Sequence, residues 1–367
     1  MNNRYFYLLP FLCLFACIQI SANIDHLDID PRFKISIFAS DLDQPRQMIE
    51  SKNGTIFIGE RSGQIIALID SDGNGQADSK RVIADDLTYS TGVSIFEGDL
   101  YFSEISKIWK IQDIENWLQK NSSGFPEKIL VTQDLPEDKW HGWKWLQHNA
   151  EGDIYTNVGA PCNICISENP QYASIIRLRD DNWEYVARGV RNSVGFDFHP
   201  ETSKLYFGDN GRDWLGDNSP ACELNRVDED GLFYGFPYQH ALNVKDPEYG
   251  DLESGYDYVD PILELGAHVA PTGLAFYDGE MFPKKYKNNI FITLHGSWNR
   301  SKKVGYKVVR VVLDGEGDVV DIKDFISGWL DGETVLGRPA APLIISDGSL
   351  LISDDKANVI YRITYKQ

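Results

Sequence analysis

The 367-residue sequence predicts an all-β fold, a six-bladed β-propeller built from four-stranded blades. Two observations predict it. One short pattern, a turn residue or two followed by an apolar-aromatic-apolar run, recurs along the chain. It stands at Gly54-Thr55-Ile56-Phe57-Ile58, Gly98-Asp99-Leu100-Tyr101-Phe102 and Gly152-Asp153-Ile154-Tyr155-Thr156. It returns at Ser203-Lys204-Leu205-Tyr206-Phe207, Asn288-Asn289-Ile290-Phe291-Ile292 and Gly348-Ser349-Leu350-Leu351-Ile352. The second observation is spacing: the copies start roughly 45 to 85 residues apart, the span of one blade plus variable loops.

Each run is too short, and too rich in β-branched and aromatic side chains, to be a helix, and each follows a hairpin-type turn. Each therefore reads as the second strand of its blade. A sandwich has no reason to repeat one motif six times, and no Pro/Gly/Ser linker divides the chain. The widest interval holds an acidic and aromatic stretch, Phe236 to Tyr258, expected to be an extended loop on one rim. Only Ile114 to Lys120 reads as helical, within a loop.

The domain organisation expected is a leader at 1–22 and a single propeller at 23–367. Arg4, an apolar run from Phe6 to Ile20 and the small-residue exit at Ser21-Ala22 outline a secretory signal peptide, which implies a periplasmic or secreted protein. Leu14-Phe15-Ala16-Cys17 also fits a loose lipobox, which would anchor the chain at Cys17. No other segment reaches the ~20 consecutive apolar residues that a spanning helix needs. The formal charge of −20, with no long basic run, argues against nucleic acid and for a small-molecule partner. Cys162, Cys165 and Cys222 remain in the mature part, enough for one disulfide and one thiol. Cys162-Asn163-Ile164-Cys165 lacks a second CxxC or a thioredoxin-like context and reads as a loop staple.

The repeat makes a prediction about polar residues. The first strand of each blade is antiparallel to the second, so its beginning lies at the same sheet edge as the second strand's end. Those edges meet around the channel on one face. They bring Arg46, His141, Arg191-Asn192, Thr272 and Arg338 towards Arg61, Asp209 to Arg212, and His295 to Arg300. A chain with a large acidic excess thus collects Arg61, Arg191, Arg212, Arg300 and Arg338, with His141 and His295, at one mouth. Crowded guanidinium groups repel unless carboxylates or an anion compensate, and their forks suit a ligand's carboxylates. The alternative is ordinary pairing with Glu60, Asp209, Asp213 or Asp355. Of the neighbouring tryptophans, Trp145 is expected in the core and Trp143 and Trp298 at the mouth.

In this order the segments Gly59-Glu60-Arg61-Ser62-Gly63, His141-Gly142, Arg188-Gly189-Val190-Arg191-Asn192 and Gly208-Asp209-Asn210-Gly211-Arg212-Asp213 resemble the sorbosone and glucose dehydrogenase-like family, the PQQ-dependent soluble sugar dehydrogenases. Tyr234-Gly235-Phe236-Pro237, Gly266-Ala267-His268-Val269-Ala270-Pro271, His295-Gly296-Ser297-Trp298-Asn299-Arg300 and Gly337-Arg338-Pro339 continue the likeness. It covers nearly the whole mature chain. The resemblance implies pyrroloquinoline quinone (PQQ) with calcium, a sugar substrate and a separate electron acceptor. It implies His141 as catalytic base, and Arg191 beside the reacting carbonyl with Asn192. Arg61, Arg212, Thr272, His295, Arg300 and Arg338 are the further expected cofactor contacts, and the backbone at Gly211 and Arg212 would support the cofactor's calcium. The chain departs from the glucose dehydrogenases in having His295 where they use lysine, and in lacking their Gly-Pro pair near Gly211.

A separate metal signal lies in Asp70-Ser71-Asp72-Gly73-Asn74-Gly75-Gln76-Ala77-Asp78. Asp70, Asp72, Asn74 and Asp78 offer oxygens at alternating positions, as calcium loops do, although Arg81 stands where an EF-hand has its glutamate. Two other functions fit a propeller: a calcium-dependent lactonase or esterase, needing a ring of carboxylate and amide ligands, and a non-catalytic binding module.

Overall fold

The computed structural model describes residues 24–120 and 123–366. The leader, with Cys13 and Cys17, lies outside the described residues. Among the described residues six sheets stand in a ring, each with four antiparallel strands, and two are extended by a fifth, which in one of them joins parallel. The first blade shows the pattern, running Pro45–Glu50, Ile56–Glu60, Gln64–Ile69 and Ser79–Ala84 from the centre outward. The remaining innermost strands are Val93–Phe96, Leu146–His148, Phe196–Phe198, Pro271–Phe276 and Pro339–Ile344. All six recurring runs fall in second strands: Ile56–Glu60, Asp99–Ser103, Ile154–Val158, Leu205–Asp209, Ile290–Leu294 and Leu350–Asp354.

Those second strands are almost wholly buried because both of their faces pack against neighbouring blades. Phe57, Phe102, Phe207, Phe291 and Leu351 are solvent-free, and the cores lie between sheets. Apolar side chains on both faces give the near-continuous hydrophobic runs seen in the sequence. Polar links close the inner ring: the Gln47 amide donates to the Leu146 carbonyl oxygen at 2.7 Å, and the Gln147 amide to Asp197 at 3.0 Å.

The sixth blade takes its outer strand from the other end of the chain. Phe33–Ala39 pairs antiparallel with Val359–Tyr365, from Phe33 opposite Tyr365 to Ala39 opposite Ile360. The fourth blade is interrupted: its outer strand Leu263–Ala267 pairs with Ala221–Arg226 across the intervening acidic and aromatic segment. That segment is a rim excursion carrying a two-stranded ribbon, Gln239–His240 with Val244–Lys245. The expected helix spans Ile114–Gln119. Among the described residues no helix is long and apolar enough to cross a membrane.

Candidate functional site

Side chains at second-strand exits hold the backbone at first-strand entrances. Asp209 accepts the Arg191 and Asn192 N–H groups at 2.8 and 2.7 Å, and Asp354 accepts the Arg338 N–H at 2.8 Å. Asn157 does the same for the Trp145 N–H at 2.8 Å, while its amide donates to the Trp143 carbonyl at 2.8 Å. Short polar acceptors at these positions thus fix where the next side chain stands. The result is a cavity of about 390 Å³ on one face of the ring. Arg46, Arg61, Arg191 and Arg338 line it with His141, His268 and His295, and Asn192, Thr272, Gly211, Trp143 and Trp298 are also in its wall.

The lining carries four arginines but one acid, Asp213, and a second carboxylate, Asp355, stands behind them. Asp355 accepts from Arg46 at 2.7 Å, Arg61 at 3.3 Å and the His295 Nε2 at 2.8 Å. Burial works to raise its pKa, but the charges of Arg46 and Arg61 and the hydrogen bond from His295 outweigh it and hold the carboxyl well below its ordinary range. Asp213 takes Arg191 at 3.2 Å. Ion pairing and a surplus of positive charge therefore coexist. Among the described residues, Arg46 Nε, Arg61 Nε and Asn192 Oδ1 are buried with no hydrogen-bond partner. Buried polar atoms are normally satisfied, so such a group of orphans at one cavity invites a ligand.

His141 holds a left-handed backbone, with φ of 53°. Its Nδ1–H donates to the Ala160 carbonyl at 2.8 Å, an assignment that follows from the acceptor-only carbonyl and leaves Nε2 as the lone-pair nitrogen. Burial and the charge of Arg191 push its pKa down to about 3, so the ring is neutral at pH 7. Gly159 lies beneath it, where a Cβ would come within 2.6 Å of the His141 Cβ; only glycine lets the ring sit there. His295 is also neutral, pushed down to about 4 by burial against the pull of Asp355.

Two expected contacts are corrected. The Arg212 guanidinium turns away from the cavity to Asp246 and to Glu248 at 3.2 Å, on the rim excursion. Arg300 binds the Asp217 carbonyl and Asn218 Oδ1, the latter at 3.0 Å, outside the lining. Strand direction places a backbone at the mouth but leaves side-chain direction open, and local carboxylate and amide acceptors captured both arginines. Arg46 belongs to the charged wall although only its strand-entrance position signalled it. Trp145 is in the core; Trp143 stacks on Tyr89 with Arg61 4.7 Å from its ring, and exposed Trp298 meets Trp214 edge-on. Cys162 and Cys165 form a disulfide, and Cys222 is a buried thiol in the cavity wall.

In the acidic hairpin, Asp70, Asp72 and Asp78 bring carboxylate oxygens within 4.8 Å of one another. Their backbone-facing oxygens already accept N–H groups: Asp70 from Gly73 at 2.9 Å and Gly75 at 2.8 Å, Asp78 from Ser71 at 2.7 Å. Asn74 is tied to Asp72, its amide donating at 2.9 Å.

The closed six-bladed ring with its cationic, histidine-bearing mouth has counterparts among known proteins. A family model described as TrAA12-like matches residues 239–325. The holo PQQ domain of a Coprinopsis cinerea pyranose dehydrogenase superposes with a TM-score of 0.77 at 18% identity, covering 92% of this chain and 97% of that one. In sequence, a PQQ-dependent pyranose dehydrogenase of Coprinopsis cinerea is 39% identical over 64 residues, 17% of this chain and 8% of that protein. An uncharacterised protein of Borreliella burgdorferi is 34% identical over 380 residues, spanning 100% of this chain and 98% of that one. The chain belongs to one family with this last protein over its whole length.

Proposed function

We propose that this protein is a PQQ-dependent dehydrogenase of sugars, with His141 as the general base. The observation that carries the reading is a neutral histidine in a cavity lined by four arginines, its Nδ1 spent on Ala160 and its Nε2 left to accept a proton. A cavity of this size falls within the range that small-molecule ligands occupy. The orphaned guanidinium N–H groups of Arg46 and Arg61 and the amide oxygen of Asn192 fit a planar polyanion with carboxylates and ring N–H or carbonyl groups.

When bound, PQQ supplies an electrophilic quinone carbon that accepts hydride. Nε2 of His141, the ring nitrogen left without a proton, takes the proton of the substrate hydroxyl. Arg191, fixed by four hydrogen bonds, directs positive charge to where oxyanion character develops. Arg46, Arg61 and Arg338 hold carboxylates, with Thr272 and His295 in the same wall. Trp143 and Trp298 offer apolar faces at the mouth for a sugar ring. The backbone at Gly211 and Arg212 remains the proposed support for the cofactor's calcium, and Asp70, Asp72, Asn74 and Asp78 the proposed structural calcium loop. Export rests on the leader and on the disulfide, which favours an oxidising compartment.

The lactonase reading loses ground because both cavity carboxylates are already engaged by arginine or histidine. The deciding experiment adds PQQ and calcium to purified protein and follows reduction of an artificial acceptor with a panel of aldoses and sorbosone. Saturable, sugar-dependent turnover is expected; absence of PQQ uptake overturns the reading.

A further inference from the structure

We infer that the disulfide-closed loop Cys162–Cys165 is the clamp that orients Arg191 towards the cavity, with Asn163 as its positioning residue. The inference rests on the proposed quinone site for its consequence, but its geometry stands apart from it. Arg191 is nearly solvent-free, and burial pulls its pKa below the ordinary arginine value against the charges of Asp213 and Asp209. A buried guanidinium needs its N–H groups satisfied in a fixed arrangement. Asn163 provides two of the acceptors: its carbonyl takes the Arg191 Nε–H at 2.9 Å, and its Oδ1 takes an Nη2–H at 2.8 Å. The others are the Asn210 carbonyl at 3.1 Å and Asp213 at 3.2 Å.

Asn163 also fixes the counter-charge. Its Oδ1 accepts the Asp213 N–H at 2.8 Å, and its amide donates to the Asp213 carbonyl at 3.2 Å. The Asn299 amide reaches the same carboxylate at 2.6 Å. Arginine and carboxylate are thus registered against one side chain. That side chain sits between two cysteines only three residues apart, bonded to each other. A ring so small removes little freedom from the unfolded chain, so its effect is local: it denies Asn163 other backbone conformations. The same stretch begins at Ala160, whose carbonyl orients His141 and whose N–H donates to the Arg191 carbonyl at 2.8 Å. One loop therefore sets both the base and the cation of the site. Both cysteines are only half-buried, so the bond is open to reductant.

The test compares the full-length protein with C162S/C165S, Asn163→Ala and Asn163→Asp, and with wild type after dithiothreitol supplies two electrons and two protons to the bond. Exchange of the Arg191 Nε–H is followed by NMR on ¹⁵N-arginine protein, assigned with Arg191→Lys, and PQQ affinity by titration. Faster Nε–H exchange is expected in the double-serine and reduced proteins, where the residue-163 carbonyl is released, and a PQQ Kd raised about tenfold or more in these and in Asn163→Ala, which loses the Nη2–H acceptor. Asn163→Asp keeps the acceptor and returns the Kd to within about threefold. Unchanged exchange in folded C162S/C165S or in the reduced protein overturns the clamp. An Asn163→Asp as weak as Asn163→Ala overturns the role of the side chain. Should wild type take up no PQQ, the functional reading falls while the exchange rates still decide the clamp.

Discussion

His141, at the entrance of the third blade and half-buried, and His295, at the exit of the fifth and buried, share a cavity and are both neutral. They differ in which nitrogen is occupied. His141 gives Nδ1–H to a backbone carbonyl and keeps Nε2, whereas His295 spends Nε2 on Asp355, a carboxylate that also holds Arg46 and Arg61. The first ring is mounted on the backbone, with the nitrogen at its far end left as an acceptor. The second is one member of a charge-balanced group. The difference teaches that residue type and location do not assign a role in this wall; the second hydrogen bond does.

The sharpest way to break this contrast is to remove each ring. His141→Ala is expected to lower kcat by about 10²–10⁴ with little change in PQQ affinity, measured by acceptor reduction and by titration. His295→Asn should lower kcat less than about tenfold, since an amide can still face Asp355. Equal losses from the two would dissolve the distinction. Asp355→Ala tests the network directly. It leaves the mostly buried Arg46 and the one-third exposed Arg61 without their carboxylate and is expected to cost up to about 3 kcal/mol in denaturant unfolding, where His141→Ala costs far less.

Acidification provides a subtler test. Both histidines have folded pKa values of about 3 and about 4, below the unfolded value of about 6.5. Between these limits the unfolded chain binds more protons, so stability is complete above the unfolded value and declines as pH falls through this window. The thermal midpoint should drop between about pH 6.5 and 4, and less steeply in a variant with glutamine at both positions. An identical slope would contradict burial of neutral rings. The smallest effect belongs to the exposed hairpin. Calcium should raise the thermal midpoint by about 2 °C, and Asp78→Ala should abolish that rise.

Much of this arrangement was readable beforehand. The second strands announced themselves because each is buried on both faces and preceded by a tight turn, so Phe57 and Leu205 sit in runs that tolerate no polar interruption. Strand polarity then put Arg61, Arg191 and Arg338 on one face. What stayed illegible depends on long-range partners. Nothing near Arg212 signals that Asp246 would capture it, since the contact crosses an inserted excursion, and Arg300 was taken by a loop around Asp217. Nothing in the sequence marks Asn163, because its partners, Arg191 and Asp213, are brought to it only by the fold.

The strand exchange in the sixth blade has a kinetic consequence. Phe33–Ala39 has no sheet to join until Val359–Tyr365 has formed its hairpin, so the two ends of the ring must find each other across more than 300 residues. Such distant pairing is slow. Until it happens, the inner strands that carry Arg46 and Arg338 have not been drawn together, and apolar strand edges stay exposed to aggregation. Five blades would leave a groove open on one side. The cationic mouth therefore depends on the closed ring, since Arg46 and Arg338 enter it from the blades at its two ends.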